Sequence, residues 1–338
     1  MSDFCPASQS GSFARTARLL TTLLACLLTI KAIAATPPVV RVAVLKFGTA
    51  NWELDTLRHN GFDTAEGFEL DVLPLAGKQA TMVALQGHKV DMALNDWLWV
   101  SRQRASGRNF SFIPYSTAGG ALVVPADSRI QSLADLAGKR VGIAGGPLDK
   151  NWLLLRALAI RQGNPDPADV LTPVFAAPPL LNNQLEQGRL DAVINFWPYV
   201  ARLHAKGMRI VLTADEAVAQ LGIDSNPPLI GYVFDSQWAQ DNPERIAAFE
   251  AAISRTRALL KQSDDAWDRL RPLMKAANEA EFKALRDGYR AGIPGRLDIE
   301  QVQAAARLAQ ILADTGGPAL VGQAKTLSPG TFWGIAED

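Results

Sequence analysis

Past residue 38 the chain alternates short apolar runs with longer stretches of helical spacing. Val39–Leu45 is a β-branched run of strand length and reads as a buried strand. Gly48-Thr49-Ala50-Asn51 follows, and a helix is predicted to open near Trp52. Phe68–Leu75 alternates like a second strand, and Thr81–Gln86 has helical spacing that stops at Gly87. Val90–Leu94 is a third strand, followed by Asn95-Asp96-Trp97 and a helix to about Ala105. Phe110–Pro114 is a fourth. Strands alternating with helices predict an α/β fold built on largely parallel sheet.

The same order returns about 100 residues later. Arg140-Val141-Gly142-Ile143 echoes Arg41-Val42-Ala43-Val44, and Asn151-Trp152 echoes Asn51-Trp52. Leu185, Asp191 and Val200 echo Leu85, Asp91 and Val100, while Asn195-Phe196-Trp197 echoes Asn95-Asp96-Trp97. Several matches at one offset predict two similar Rossmann-like lobes. Ala121–Pro125 and Leu229–Phe234 are expected to cross between them. Lobe one is then 37–124 plus 229–338, and lobe two is 125–228. From Pro243 onward helices dominate, near Glu244–Lys261, Asp264–Ala277, Glu279–Ala291 and Ile299–Asp314. The Gly-rich end from Thr315 is expected to wrap the surface.

The first residues have a different character. Arg15 and Arg18 precede the apolar run Leu19–Ile30, which meets Ala32-Ile33-Ala34. This is the pattern of a cleaved secretory signal peptide over 1–34, too short to span a bilayer as a helix. Leu23-Leu24-Ala25 before Cys26 leaves lipidation as an alternative. Cleavage would leave roughly 304 residues, slightly acidic and free of cysteine, since Cys5 and Cys26 both precede Ala34. A disulfide framework, a thiolate metal site and a Cys nucleophile are then excluded. The full chain has 34 basic and 34 acidic residues, so nothing calls for nucleic acid as partner.

Candidate chemistry concentrates where the repeated loops leave the strands. In an open parallel sheet, ligands bind beyond the carboxyl ends of the strands. Asn51 with Trp52, Asn95 with Asp96 and Trp97, Asn151 with Trp152, and Asn195 with Phe196 and Trp197 all fall there. An amide that donates and accepts, beside a large flat ring, suits a small organic solute. Helix capping by the Asn residues and core packing by the Trp residues are the competing readings. Gly146 and Asp149 lie on the loop before Trp152, and Gly119-Gly120 opens the first crossing, where a hinge or a close backbone approach is expected. His59, His88 and His204 show no zinc-ligand spacing, and no dinucleotide, P-loop or nucleophile-elbow motif occurs. No metal, no cofactor and no enzyme activity are expected.

Three segments carry a family resemblance. Leu85-Gln86-Gly87-His88-Lys89-Val90-Asp91 and Leu185-Glu186-Gln187-Gly188-Arg189-Leu190-Asp191 share one L-x-x-G-x-x-D pattern. Ser132-Leu133-Ala134-Asp135-Leu136-Ala137-Gly138-Lys139-Arg140-Val141-Gly142 is the third. Over about 39–262 the chain resembles solute-binding proteins of ABC importers with the type II periplasmic-binding fold, in the nitrate/sulfonate/taurine and thiamine-pyrimidine-precursor group. The resemblance implies two lobes closing on a small solute, a monomer in the periplasm, and a membrane permease as partner. It also implies ligand contacts from Lys46–Trp52, Asn95–Trp97, Ser116–Gly120 (including Thr117), Gly145–Trp152 and Asn195–Trp197.

The chain departs from the sulfonate pattern in having no Arg in these loops, the usual bidentate partner of such oxyanions. A flat or nitrogen-bearing organic solute is therefore expected, with alkanesulfonate or taurine as the alternative. A periplasmic sensor and an enzyme on the same fold are the other classes. The pyrimidine-forming relative uses a Cys-rich segment that has no counterpart after residue 34.

Overall fold

The computed structural model describes residues 1–3, 36–225, 227–324 and 326–335. The expected signal peptide lies outside the described residues except for its first three. The fold begins at Pro38. Among the described residues ten strands form two five-stranded sheets. They are β1 (Val39–Leu45), β2 (Glu69–Leu75), β3 (Met92–Asn95), β4 (Phe110–Ser116), β5 (Ala121–Val124), β6 (Arg140–Ala144), β7 (Thr172–Ala176), β8 (Ala192–Asn195), β9 (Arg209–Thr213) and β10 (Ile230–Asp235).

The first sheet runs β2-β1-β3-β10-β4 and the second β7-β6-β8-β5-β9. In each, three neighbouring strands are parallel, and the fourth position is held by an antiparallel strand. That fourth strand is the one that follows the passage from the other lobe. β5, expected as part of a crossing segment, thus pairs within the second sheet.

The longer helices are α1 (Ala50–His59), α2 (Lys78–Gln86), α3 (Trp97–Ala105), α4 (Lys150–Arg161), α5 (Pro178–Glu186), α6 (Trp197–Ala205), α7 (Ala214–Gln220), α8 (Pro243–Gln262), α9 (Asp264–Met274), α10 (Glu279–Ala291) and α11 (Ile299–Gly316). Among the described residues no helix is long and apolar enough to cross a membrane.

The shared L-x-x-G-x-x-D segments do the same work in both lobes. The Asp91 carboxylate accepts from the Arg41 amide at 2.7 Å, and Asp191 accepts from the Arg140 amide at 2.7 Å. Asp91 thus ties the third residue of β1, and Asp191 the first residue of β6, to the start of the strand that follows the motif. The turn before it needs a left-handed residue, supplied by His88 (φ +54°) in one lobe and Gly188 (φ +68°) in the other. The third motif is a turn lock: Asp135 accepts from the Gln131 and Ser132 amides and from the Ser132 hydroxyl.

The C-terminal helices do not stay with lobe one. α8, α9 and α10 cover one face of the first sheet, where Val40, Val42 and Tyr232 meet Phe249, Trp267 and Tyr289. α10 also packs along α6, and α11 packs along α4, both in lobe two. A single apolar cluster runs from Ala43, Trp97 and Phe112 through Leu308 and Leu312 of α11 to Leu153, Leu154 and Ile194. Most of 315–330 stays at least partly exposed, but Thr331 and Phe332 enter the core. Phe332 is 1% exposed, bridges Phe112 in parallel, and meets its ring edge-on at 5.4 Å.

Under α1 lies a buried charge. Glu53, with no exposed surface, accepts from Tyr232 (2.7 Å), Tyr289 (2.6 Å) and Arg257 Nε (3.0 Å). It ties α1, β10, α8 and α10 together. Glu53→Leu strands the Arg257 guanidinium, and a buried charge without its partner costs about 3–5 kcal/mol. Urea denaturation of Glu53→Leu is expected to show a loss of that size. Replacing Arg257 as well, by Leu, is expected to recover much of it.

Candidate functional site

The repeated loops lie beyond the carboxyl ends of β1, β3, β6 and β8, where an α/β sheet binds ligands. Their Asn side chains are occupied by the backbone. Asn51 Nδ2 donates to the Leu45 carbonyl (2.8 Å) and the Gly48 carbonyl (2.7 Å). Asn95 Oδ1 accepts from the Asp96 amide at 2.8 Å, and Asn195 Oδ1 accepts from the Phe196 amide at 2.9 Å. Each of this pair also ties its strand to the preceding helix, Asn95 to Met82 Sδ (2.8 Å) and Asn195 to Asn182 Oδ1 (2.7 Å). The recurrence of Asn at this point is therefore a strand-exit device. Both residues are buried.

The Trp residues divide. Trp97 and Trp152 belong to the core cluster shared by the two lobes, at 1% and 2% exposure. Trp52 is buried among Trp267 and Tyr289, with ring centroids 6.0 Å away in each case. Trp99 stacks obliquely on Phe110 at 5.1 Å. Only Trp197 and Trp99 of the five keep partial exposure. Trp197, the first residue of α6, meets the edge of Trp52 at 6.2 Å, so this pair joins the two lobes. Phe196 beside it is half-buried.

The crossing is tightly built. A Cβ on Gly119 would lie 2.4 Å from the Ala214 Cβ, and one on Gly120 would lie 2.2 Å from the Asn195 carbonyl oxygen. The Gly120 amide donates to Asn151 Oδ1 at 2.8 Å, while Asn151 Nδ2 donates to Asp149 Oδ1 at 3.0 Å. The Thr117 amide donates to the Gly292 carbonyl just past α10. These glycines permit close approach to protein backbone and side chains. Gly146 has φ +90° and an unobstructed Cβ direction, so its turn demands glycine for conformation alone.

One group stands out from this packing. Asp96 caps α3, its Oδ1 accepting from the Trp99 amide at 2.9 Å. Its Oδ2 accepts from Lys78 Nζ and from Lys150 Nζ, both at 2.9 Å. Lys78 begins α2 in lobe one, and Lys150 begins α4 in lobe two. Burial alone would raise the Asp96 carboxyl, but the Lys150 and Lys78 charges and their hydrogen bonds outweigh it and hold it well below the usual carboxylate range. Lys150 is raised because Asp96 and Asp149 outweigh its own burial. Asp149, the cap of α4, is raised, since its burial exceeds the effect of Lys150 and of the bonds from Asn151. The sequence places Lys78 and Lys150 near these acids along the chain but does not pair them with Asp96. Lys78 and Lys150 both sit at helix starts, but no local pattern pairs residues so far apart along the chain.

Two α/β lobes of like topology, exchanging one strand each and meeting at strand-end loops, define the type II periplasmic-binding fold. The periplasmic aliphatic sulphonate binding protein SsuA of Escherichia coli superposes with a TM-score of 0.68 at 19% identity, covering 89% of this chain and 94% of that one. The alkanesulfonate-binding protein SsuA of Xanthomonas axonopodis pv. citri, bound to MOPS, gives 0.66 at 17%, covering 89% and 99%. The desulfurization enzyme DszB shares the fold at a TM-score of 0.52 and 18% identity, covering 82% and 92%. Among curated proteins no sequence matches. The NMT1/THI5-like family model matches residues 57–266, and the chain belongs to that family.

Asp96 titrates with a defined sign. Its folded pKa lies below its unfolded one, so its contribution is complete above the unfolded value of about 4 and is lost as the pH falls below it. Asp96→Asn is expected to lower stability at pH 7 by about 1–3 kcal/mol. The difference from the parent chain is expected to shrink as the pH is taken from 6 to 3, as measured by urea denaturation at each pH.

Proposed function

We propose that this chain is an exported binding protein that captures a small organic solute between its lobes and presents the closed form to an ABC importer in the periplasm. The observation that carries the reading is the meeting of both lobes at the strand-end loops. There Asp96 of one lobe pairs with Lys150 of the other at 2.9 Å, and Trp52 of one meets Trp197 of the other at 6.2 Å. Both contacts cross from one lobe to the other at these loops. A solute that adds contacts to both lobes shifts the population toward the closed form by its differential affinity.

The solute-facing groups on this reading are Trp197, Phe196, Asp96, Asp149, Gly146 and the two lysines at the loop mouth. Asn51, Asn95, Asn151, Asn195, Thr117, Gly119 and Gly120 shape the loops, and Trp52, Trp97 and Trp152 support them from below. The likeness to sulfonate-binding proteins favours a second reading of the ligand, an alkanesulfonate or taurine. The fold shared with DszB favours a reacting rather than a captured ligand, but the described loops bring together no nucleophile with a base.

Trp197 supplies the readout. Protein purified without denaturation is expected to carry a stoichiometric small molecule in native mass spectrometry, released unchanged on unfolding. Re-adding that molecule to stripped protein is expected to change tryptophan emission, and Trp197→Phe is expected to remove most of the change. A chain that carries and binds nothing from cell extract, or one that returns the molecule chemically altered, would contradict solute capture.

A further inference from the structure

One helix N-terminus and two lysine side chains from the starts of two other helices meet at one carboxylate. Asp96 is the N-cap of α3, while Lys78 and Lys150 are the first residues of α2 and α4. Helix N-termini favour anions through their free amides and the helix dipole, and two ammonium groups add to that field. This is the arrangement from which an oxyanion site would be built, and a side chain of the protein already fills it. The Asp96 side chain is 6% exposed and lies 2.9 Å from both ammonium nitrogens.

Resting on the solute-binding reading, we propose that Asp96 sets the charge class of the solute: its carboxylate occupies the anion position between Lys78 and Lys150, so that the site selects solutes without net negative charge. The carboxylate is not free to swing away, because its other oxygen accepts from the Trp99 amide at the start of α3. It is ionised at neutral pH, since the two lysines outweigh the effect of burial. A second carboxylate, Asp149, lies on the same loop as Lys150 and acts on its charge. Arg102 also acts on Lys150, but its guanidinium is turned to the Leu320 carbonyl at 3.4 Å. A sulfonate entering here would meet ammonium groups already shared with a fixed like charge a few ångström away. Asp96 and Asp149 together balance the formal charge of Lys78 and Lys150, so the cluster offers an entering anion no net attraction. The absence of Arg from these loops points the same way, because no fork-shaped donor set remains for an oxyanion.

The test is titration of the full chain and of two variants with ethanesulfonate, followed by calorimetry. Asp96→Asn removes the charge at constant shape. Asp96→Ser removes it and keeps a good helix cap, which guards against a folding defect. At least one variant is expected to bind ethanesulfonate about tenfold or more tightly than the parent chain. Parent protein that binds ethanesulfonate as tightly as both folded variants would overturn the assignment of Asp96. The solute-binding reading fails separately, through native mass spectrometry of the parent chain. If the parent carries no solute while a variant gains ethanesulfonate, the role of Asp96 stands and solute capture does not.

Discussion

A largely parallel sheet must be covered on both faces, and both lobes here take part of that cover from the far end of the chain. This requirement organises the molecule. The first sheet borrows α8, α9 and α10 from the far end of the chain, which place Phe249, Trp267 and Tyr289 over Val40, Val42 and Tyr232. Lobe two borrows α11, whose Leu308 and Leu312 join the cluster of Leu153 and Leu154. The C-terminal third is thus shared cover for both lobes. Its burial fixes α10 beside α6 and α11 beside α4.

That sharing sets the geometry of the candidate site. Because one apolar cluster reaches from Phe112 to Leu154, the lobes are held at close range, and their strand-end loops face one another. The Asp96–Lys150 pair and the Trp52–Trp197 contact are consequences of that closeness. Movement between the lobes must break these polar and aromatic contacts and slide helices that are otherwise well packed. Arg202 adds another tie, donating from α6 to the Met274 and Lys275 carbonyls.

Much of the fold was legible in the chain. Val39–Leu45 is a strand at the bounds its β-branched run indicates, and the offset of about 100 residues marks two lobes of equal strand order. The strand-exit Asn residues and the motif Asp residues recur because each lobe must hold the same strand junction. Their recurrence alone does not tell a strand junction from a shared ligand contact. Local spacing reports that a position is needed twice, but not whether its side chain turns toward backbone or solute. Trp97 and Trp152 show the cost of that ambiguity, for both are buried in the core.

The sequence alone determined the α/β class, the two-lobed repeat, the crossing segments and the loops at the strand ends, because periodicity and repetition are local properties of the chain. Tertiary structure alone decided that β5 belongs to the second sheet, that α11 covers lobe two, and that Phe332 enters the core. It also decided that Lys78 and Lys150 meet on Asp96. Those residues are 18 and 54 positions from Asp96 along the chain, and the approach of the two lobes is what brings all three charges together.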